Sequence, residues 1–541
     1  MAISLIDNLG TILSGLRTSQ QLLNTATRNI SNAQTPNYVS ERQHSVVNNL
    51  GTGGSAAGEV QRIVDESLLQ QQRQTTADVN YNQARKDSLA KISALAGDPS
   101  QETNLGALVQ ALGNAFQALA GNPTSPGLTD DVVVKAQALV DELNHQNSAV
   151  LTIQRNSLQT MQDQMSRVNL GLHTIADLNA KVNTALALGA DPSTLKDQRD
   201  AALADLSTKL DIRVFYDTNG IANVYSADYK PLATQYAEVL TVDLVTGNLK
   251  TSHDTVTTPG GTLGGLQKIF QGDTVTYLQQ LDGFARGLES ALFNLTSPIK
   301  ATVVGGVIAP GNQIVTVKNA ALLQLNQPVS GFGAGATITA INTATGEVTI
   351  TSPAGATVAA ATSLQVSTRI PLFNSPSMPA GKPPYYSGGI SLNQALITSP
   401  HLNAILRMGN TIPSLSAPPA SWQPTDALGA SGAATQLSKG AVNFNHLAGV
   451  TTPVIGQYGT FLDAANAMAV AAGQNVTNTD NSITTLNTYN TQISQSIGNQ
   501  SGVNIDVEMS NLVILQNLYS SNARVMSVSQ TMLDALMSIA R

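Results

Sequence analysis

The sequence predicts a mainly helical α+β protein, an elongated multi-domain subunit with terminal coiled-coil helices, a long helical bundle and an inserted β-rich module. Three observations predict it. Both ends carry apolar residues on a seven-residue beat, a long stretch between them is amphipathic and free of proline, and a later stretch is rich in Val, Thr, Ile, Ala and Gly in short alternating runs.

At the N-terminus Ile6, Leu9, Leu13, Leu16, Gln20, Leu23, Thr27 and Ile30 advance by three and four residues, the a/d seam of a coiled coil. The C-terminus repeats the pattern with Leu512, Leu515, Tyr519, Asn522, Met526, Ser529, Leu533, Leu536 and Ala540, flanked by a stripe of Leu518, Val525, Met532 and Ile539. Several seam positions are polar, so each helix needs a partner to be stable. Leu9, Leu13, Leu16, Leu23 and Ile30 are expected to pack against Leu512, Leu515, Tyr519, Met526, Leu533 and Leu536.

After the first helix, the stretch from Ser31 to about Gly58 contains the run Gly51-Thr52-Gly53-Gly54-Ser55 and reads as a flexible hinge. No Lys-Ser/Thr pair follows the run, so it is not a phosphate-binding loop. Helices are expected from about Val60 to Ala96 and from Leu105 to Ala120, stopped by Gly97-Asp98-Pro99 and Gly121-Asn122-Pro123. From Asp130 to Leu188 apolar residues recur at helical spacing through Val132, Leu139, Val150, Met161, Val168, Ile175 and Val182. At 1.5 Å per residue this run makes roughly 87 Å of helix, a length more typical of fibre subunits than of globular enzymes.

The character changes at Asp211. Ile212 to Tyr216 and Ile221 to Tyr225 flank Asn219-Gly220, a hairpin-turn signal. Helix returns from about Leu263 to Leu295, entered through Gly260-Gly261. Thr337 to Ile341 and Glu347 to Thr351 read as a second hairpin, and Pro-rich linkers follow at 376–384 and 413–424. A helix from about Tyr458 to Ile497 precedes the last one, with Gly498 and Gly502 between. The expected domains are therefore 1–60 with 499–541 as a terminal coiled-coil assembly domain, 61–297 with 431–498 as a helical bundle including a small β element at 211–258, and 298–430 as an inserted outer module with linkers.

Composition narrows the function classes. Charged residues make 12% of the chain, about half of the roughly 25% expected of a soluble protein. The resulting neutral polar surface repels its own copies little. A net charge of −7 with no basic stripe argues against nucleic acid as a partner. There is no cysteine, which excludes disulfides, thiolate metal sites and cysteine nucleophiles together. No basic segment precedes an apolar one at the N-terminus and no apolar run reaches the roughly 18 to 20 residues of a membrane span, so neither a cleavable signal peptide nor a membrane segment is expected.

Chemistry is not indicated. His44, His145, His173, His253, His401 and His446 lack metal-ligand spacing, and packed or solvated histidine is the simpler reading. Asp130-Asp131 sits where a helix begins and Asp141-Glu142 on its flank, which helix-dipole complement and surface charge explain without acid–base catalysis. No cofactor, metal or catalytic residue is assigned, and the chain is not expected to be an enzyme.

Three motifs carry a family resemblance. Asn29-Ile30-Ser31-Asn32-Ala33-Gln34-Thr35-Pro36-Asn37-Tyr38 ends the first helix, where Asn and Ser side chains can bond frayed carbonyls and Pro36 forbids continuation. It resembles the signature of bacterial flagellar rod, hook and hook-associated proteins, with Asn37 where that family usually has Gly. Val503-Asn504-Ile505-Asp506-Val507-Glu508, then Leu512, Gln516, Tyr519, Asn522-Ala523, Val525 and Asp534-Ala535-Leu536, resemble the closing helix of the FlgK family of hook-associated proteins. Asn504 reads as its N-cap, and Asp506 and Glu508 suit its positive end. Val507 stands where the family commonly has an acid, which removes the capping-box contact. Leu195-Lys196-Asp197-Gln198-Arg199-Asp200, followed by Leu203 and Leu206, is similar to the FlgK segment entering the β region, and the helix from Gly264 to Asn294 is a looser match. The resemblance hardly touches 301–424.

The resemblance implies a structural protein of the flagellum, joining hook to filament at an extracellular site. It implies a homo-oligomer of about one helical turn on the hook tip, with hook protein on one side and a second hook–filament junction protein on the other. It further implies type III export without a cleavable signal peptide, and a chaperone on the C-terminal helix. A rod or hook protein is the neighbouring alternative. A secreted adhesin or effector with coiled-coil ends comes from another class, and an enzyme carried on the middle module is a third.

Overall fold

In the computed structural model, residues 2–35, 38–47, 54–97, 104–218, 220–257, 259–292, 299–302, 311–316, 329–330, 336–342, 344–345, 347–352, 363–366, 372–374, 386–394, 427–443 and 458–539 are described. The Pro-rich linkers at 376–384 and 413–424, the lone Trp422, and Pro36-Asn37 and Gly51 to Gly53 fall outside them.

The chain divides into two compact units. The first combines Met1–Lys86, Ser157–Gln271 and Asn478–Arg541; the second combines Asp87–Asn156 and Gly272–Thr477. This differs from the three expected domains. The reason lies in the cores: Ala336, Ile338, Val348, Ile350, Phe373 and Leu392 of the expected outer module are buried in one cluster with helical residues such as Phe116, Leu143 and Phe284. A sheet with one apolar face must cover it, and here neighbouring helices of the same unit do so.

The second unit is built on α3 (Leu105–Gly121), the first part of α4 (Pro126–Ala187), α7 (Thr274–Leu292), α8 (Leu428–Lys439) and the first part of α9 (Phe461–Ser501). α3 begins at Asn104, whose Oδ1 accepts the Ala107 backbone N–H at 2.8 Å, the expected N-cap geometry. α4 runs for 62 residues without interruption, as its spacing predicts. Phe284 of α7 meets Phe461 of α9 edge to face, with ring centroids 5.5 Å apart. The expected hairpin is present as β14 (Thr337–Asn342) against β15 (Glu347–Ser352), antiparallel, with β12 (Gly311–Thr316) on the other edge of β15. A second sheet orders β11 (Ile299–Thr302), β16 (Ser363–Val366) and β13 (Val329–Ser330). The returning segment is fastened by buried Ser387, whose N–H and hydroxyl both donate to Asp282 at 2.8 Å while Asn147 donates to the same hydroxyl at 2.8 Å.

The first unit has its own core. Met161, Val168, Leu172 and Ile175 of α4 pack with Leu203 and Leu206 of α5 (Ser193–Lys209), and with Ile212, Val224 and Leu249 from two small sheets. β5 (Ile212–Tyr216) pairs antiparallel with β6 (Ala222–Ser226), and β7 (Pro231–Ala233) follows on the far edge of β6. β8 (Thr241–Val242), β9 (Leu249–Lys250) and β10 (Thr255–Val256) form the second antiparallel sheet. Asn179 of α4 ties the first sheet down, donating to the Ala222 carbonyl at 2.9 Å and accepting the Ala222 N–H at 3.0 Å. The Gly260-Gly261 turn enters α6 (Gly261–Lys268) with φ of +60° and +54°, and a Cβ on Gly261 would collide with the Lys209–Leu210 backbone. Gly is therefore required there on both steric grounds. A π turn at Ile269–Asp273 separates α6 from α7, where the sequence predicts one continuous helix.

The first unit also contains α1 (Ala2–Asn32), the first part of α2 (Glu66–Ala96) and α10 (Ile505–Ile539). The stretches that flank the Gly-rich run read as a hinge form paired short strands. β1 (Glu41–Arg42) pairs with β4 (Gln61–Arg62), and β2 (Ser45–Val47) with β3 (Ser55–Ala57), all antiparallel. Side chains of α1 supply what the short strands lack: Thr18 donates to the Ser55 carbonyl at 2.9 Å, and the Ser55 N–H donates to Ser14 Oγ at 3.3 Å.

Candidate assembly interface

The two terminal helices lie antiparallel, because Gly15 neighbours Asn522 while Asn29 bonds Glu508. Along α10 the partly buried positions are Glu508, Leu512, Leu515, Asn522, Met526, Ser529 and Leu533, spaced by three and four residues about the exposed Tyr519, and the side chain of Leu536 lies outside the described residues. The neighbouring stripe of Val507, Ile514, Leu518, Val525, Val528 and Met532 is exposed. Gln516, Ala523 and Asp506 are exposed as well.

Along α1 the face differs from the expected one. Leu13 is 39% exposed, Gln20 and Thr27 are exposed, and Leu9, Leu16, Leu23 and Ile30 are half-buried. The residues shown against α10 are Gly15, where a Cβ would sit 3.3 Å from Asn522 Nδ2, Ser19, whose Oγ accepts from that Nδ2 at 3.5 Å, and Asn29. These positions are rotated by one residue from the leucine seam, about 100° of helix. The cause is a second partner: the hairpin occupies the adjoining face through Ser14, Thr18 and Thr25, whose hydroxyl donates to Gln43 Oε1 at 3.1 Å. A helix served by two neighbours buries its small and polar residues at close approach and leaves the leucines at the margins. The spacing Gly15, Ser19, Leu22, Ala26, Asn29 is itself a three-four alternation, the signal that would have disclosed this seam.

The three sequence motifs converge where these helices join the body of the first unit. Asn29 is buried and makes four hydrogen bonds, to Tyr38, to both backbone groups of Glu41, and to Glu508. Asn32 donates to the Arg28 carbonyl at 3.0 Å, satisfying one of the last helical acceptors, while Ser31 is exposed. Ser40 N–H donates to the Ser501 carbonyl at 2.8 Å, stitching the hairpin root to the end of α9. Asn504 Oδ1 accepts from the N–H groups of Asp506 at 3.1 Å and Val507 at 3.2 Å, which caps α10.

Arg28 spans Glu41 at 2.8 Å and Asp191 at 3.1 Å. Arg62, its side chain 9% exposed, reaches both Asp197 and Asp200 at 2.6 Å. Arg199 lies over the Tyr216 ring at 5.0 Å and donates to Asn179 Oδ1 at 3.0 Å and the Gly220 carbonyl at 2.7 Å. The Asp197 to Asp200 motif is thus a buried charged joint. Burial pushes the Asp197 carboxyl up to about 6, with Asp200 and Glu41 adding to the shift and Arg62 opposing it. Burial also raises Glu41 against the pull of Arg28, and raises the Tyr38 hydroxyl beside Glu41. Arg28 and Arg62 carry no local sequence signal for this joint, because Asp191, Asp197 and Asp200 lie far along the chain.

Among the described residues no group of three or more His, Cys, Asp or Glu is placed to hold a metal ion, and no helix is long and apolar enough to cross a membrane. A cleft of about 380 Å³ in the second unit is walled by helix residues including Ile92, Tyr277 and Ala472.

Residues 89–295 match the family model described as flagellar hook-associated protein FlgK helical domain, and residues 494–539 match that of the flagellar basal body rod FlgEFG protein C-terminal region. Flagellar hook-associated protein 1 of Escherichia coli is 24% identical over 99% of this chain and 100% of its own length. Its counterpart from Salmonella typhimurium is 24% identical over 97% of this chain and 98% of its own length. Among solved structures, the flagellar hook junction protein FlgK from Burkholderia pseudomallei shares the fold with a TM-score of 0.52 at 14% identity, over 79% of this chain and 99% of that one. With the helical-domain match inside an alignment that runs nearly end to end, the chain is similar over almost its whole length to flagellar hook-associated protein 1, FlgK.

Proposed function

We propose that this protein is a structural component of the flagellar hook–filament junction, assembling on the hook tip and adapting the hook lattice to the filament. The observation that carries the reading is the convergence of motifs from three distant parts of the chain on one joint, where Asn29, Glu508 and the Asp197 to Asp200 segment hold the paired terminal helices to the first unit. The exposed apolar stripe of α10, Val507 through Met532, is surface for neighbouring subunits. The working form is a homo-oligomeric ring or single helical turn contacting hook protein below and a second junction protein above. Its work is geometric rather than catalytic. It reaches its extracellular place by flagellar type III export without a cleavable signal peptide, with a chaperone on the C-terminal helix. The side chains assigned to the interface are Leu9, Leu13, Leu16, Leu23 and Ile30 at the margins of α1, and Leu512, Leu515, Tyr519, Met526, Leu533 and Leu536 on α10.

A rod or hook position is the neighbouring reading, favoured by the rod-type match at 494–539; the helical-domain match at 89–295 favours the junction. Electron microscopy of cells lacking the gene, with flagellin assayed in the medium, separates them. Hooks without filaments and shed monomeric flagellin support the junction reading. Absence of hooks indicates a rod or hook role, and complete filaments refute both.

A further inference from the structure

Asn29 is a side chain through which α10 touches the root of the hairpin. Its Nδ2 donates to the Glu41 carbonyl at 2.8 Å and to the Glu508 carboxylate at 2.9 Å. Its Oδ1 accepts from the Tyr38 hydroxyl and the Glu41 N–H, each at 2.9 Å. A carboxamide has two donor hydrogens and two acceptor lone pairs, so its capacity is filled. Three of these bonds fix the hairpin root and one reaches α10. The α10 bond is the charge-assisted one, and it polarises the amide that makes the other three. Withdrawing Glu508 leaves a buried donor without that partner and frees the side chain to turn away from Glu41.

The tip of the hairpin is held differently. Ser14 and Thr18 hold Ser55, and Gln43 Nε2 donates to the Gly58 carbonyl at 2.8 Å, none of which involves α10. Root and tip therefore respond separately to the C-terminal helix. The root also reaches the charged joint, because Arg28, adjacent to Asn29, holds the Glu41 carboxylate and Asp191.

We propose that Asn29 is a relay that makes the order of the hairpin root, Tyr38 to Arg42 with Gln61 to Ile63, conditional on the docking of α10 along α1. The Asn29 side of the root is then complete only when the C-terminal helix is in place, while Ser501, Asp197 and Asp200 hold its other side. This coupling resides in the single chain and does not depend on where in the flagellum the protein sits.

Hydrogen exchange on the full-length protein tests it. In Glu508→Ala the Glu41 amide and the neighbouring root amides exchange on the order of tenfold faster, while Ser55 to Ala57 keep their rates. Glu508→Gln, which retains an acceptor oxygen, restores the wild-type root. Asp506→Ala removes a first-turn carboxylate without touching Asn29 and leaves the root unchanged. Leu515→Asp, which undocks α10 away from Asn29, loosens the root as Glu508→Ala does. Unchanged root exchange in Glu508→Ala or Leu515→Asp, or equal acceleration in Asp506→Ala, overturns the proposal.

Discussion

Removing Arg62 is the most informative perturbation of the charged joint. Its guanidinium holds Asp197 and Asp200 at 2.6 Å each, with side chains 19% and 9% exposed. Arg62→Ala leaves two adjacent, mostly buried carboxylates facing each other without their common counter-charge. Breaking a buried pair from one side costs about 3–5 kcal/mol. The pH dependence has a definite sign. Asp197 already has a folded value near 6, above its ordinary 3.8, and losing Arg62 raises it further. A carboxylate whose folded value is raised disfavours the folded state as pH climbs through that window, so the penalty is full above about pH 7 and shrinks toward pH 4. Hydrogen exchange at the β5–β6 ladder, read as an opening free energy at pH 7.5 and again at pH 4.5, measures both quantities. A loss below about 1 kcal/mol at pH 7.5, or a penalty that grows in acid, would refute the assignment of Arg62 as the counter-charge of a buried joint.

Leu515→Asp places a charge on the half-buried seam of α10 and should cost about 1–2 kcal/mol of helix pairing, leaving both unit cores folded by circular dichroism while abolishing incorporation at the hook tip; normal motility would exclude an assembly role for that face. Phe284→Ala empties a fully buried site against Phe461 and should destabilise the second unit by about 3–5 kcal/mol, seen in urea unfolding, with exchange in the β5–β6 ladder unaffected. Asn504→Ala removes the cap of α10 and should cost about 1 kcal/mol, appearing as faster exchange of the first-turn amides of Asp506 and Val507; equal rates in the variant would show that the cap contributes nothing.

Much of this architecture was legible along the chain because it depends on local periodicity. The 62-residue α4 announces itself by a long helical repeat without proline, and α3 ends one residue past its expected stop. The hairpins at β5–β6 and β14–β15 follow from alternating β-branched residues around turn signals. Strands β1 to β4 carry no sequence signal because each is two or three residues long, with no alternation to read, and β3 is held by side chains of α1. α8 carries too many Gly, Ala and Ser residues to display an apolar stripe, although Ala430, Ala433, Ala434 and Leu437 are buried.

The sequence by itself determined the mainly helical class, the pairing potential of the two ends and the motifs that point to the flagellar family, since each rests on residues close together in the chain. Only the tertiary structure decided which face of α1 is used. Heptad spacing names a stripe of leucines, but a helix shared between α10 and a hairpin turns its smallest residues toward both, where close approach is possible. Only the tertiary structure, too, brought Asn29 to Glu508 across 479 residues of chain and joined Arg62 to Asp200 across 138. Such contacts depend on burial and mutual charge compensation, properties of a site that exist once the elements have packed and that no local pattern encodes.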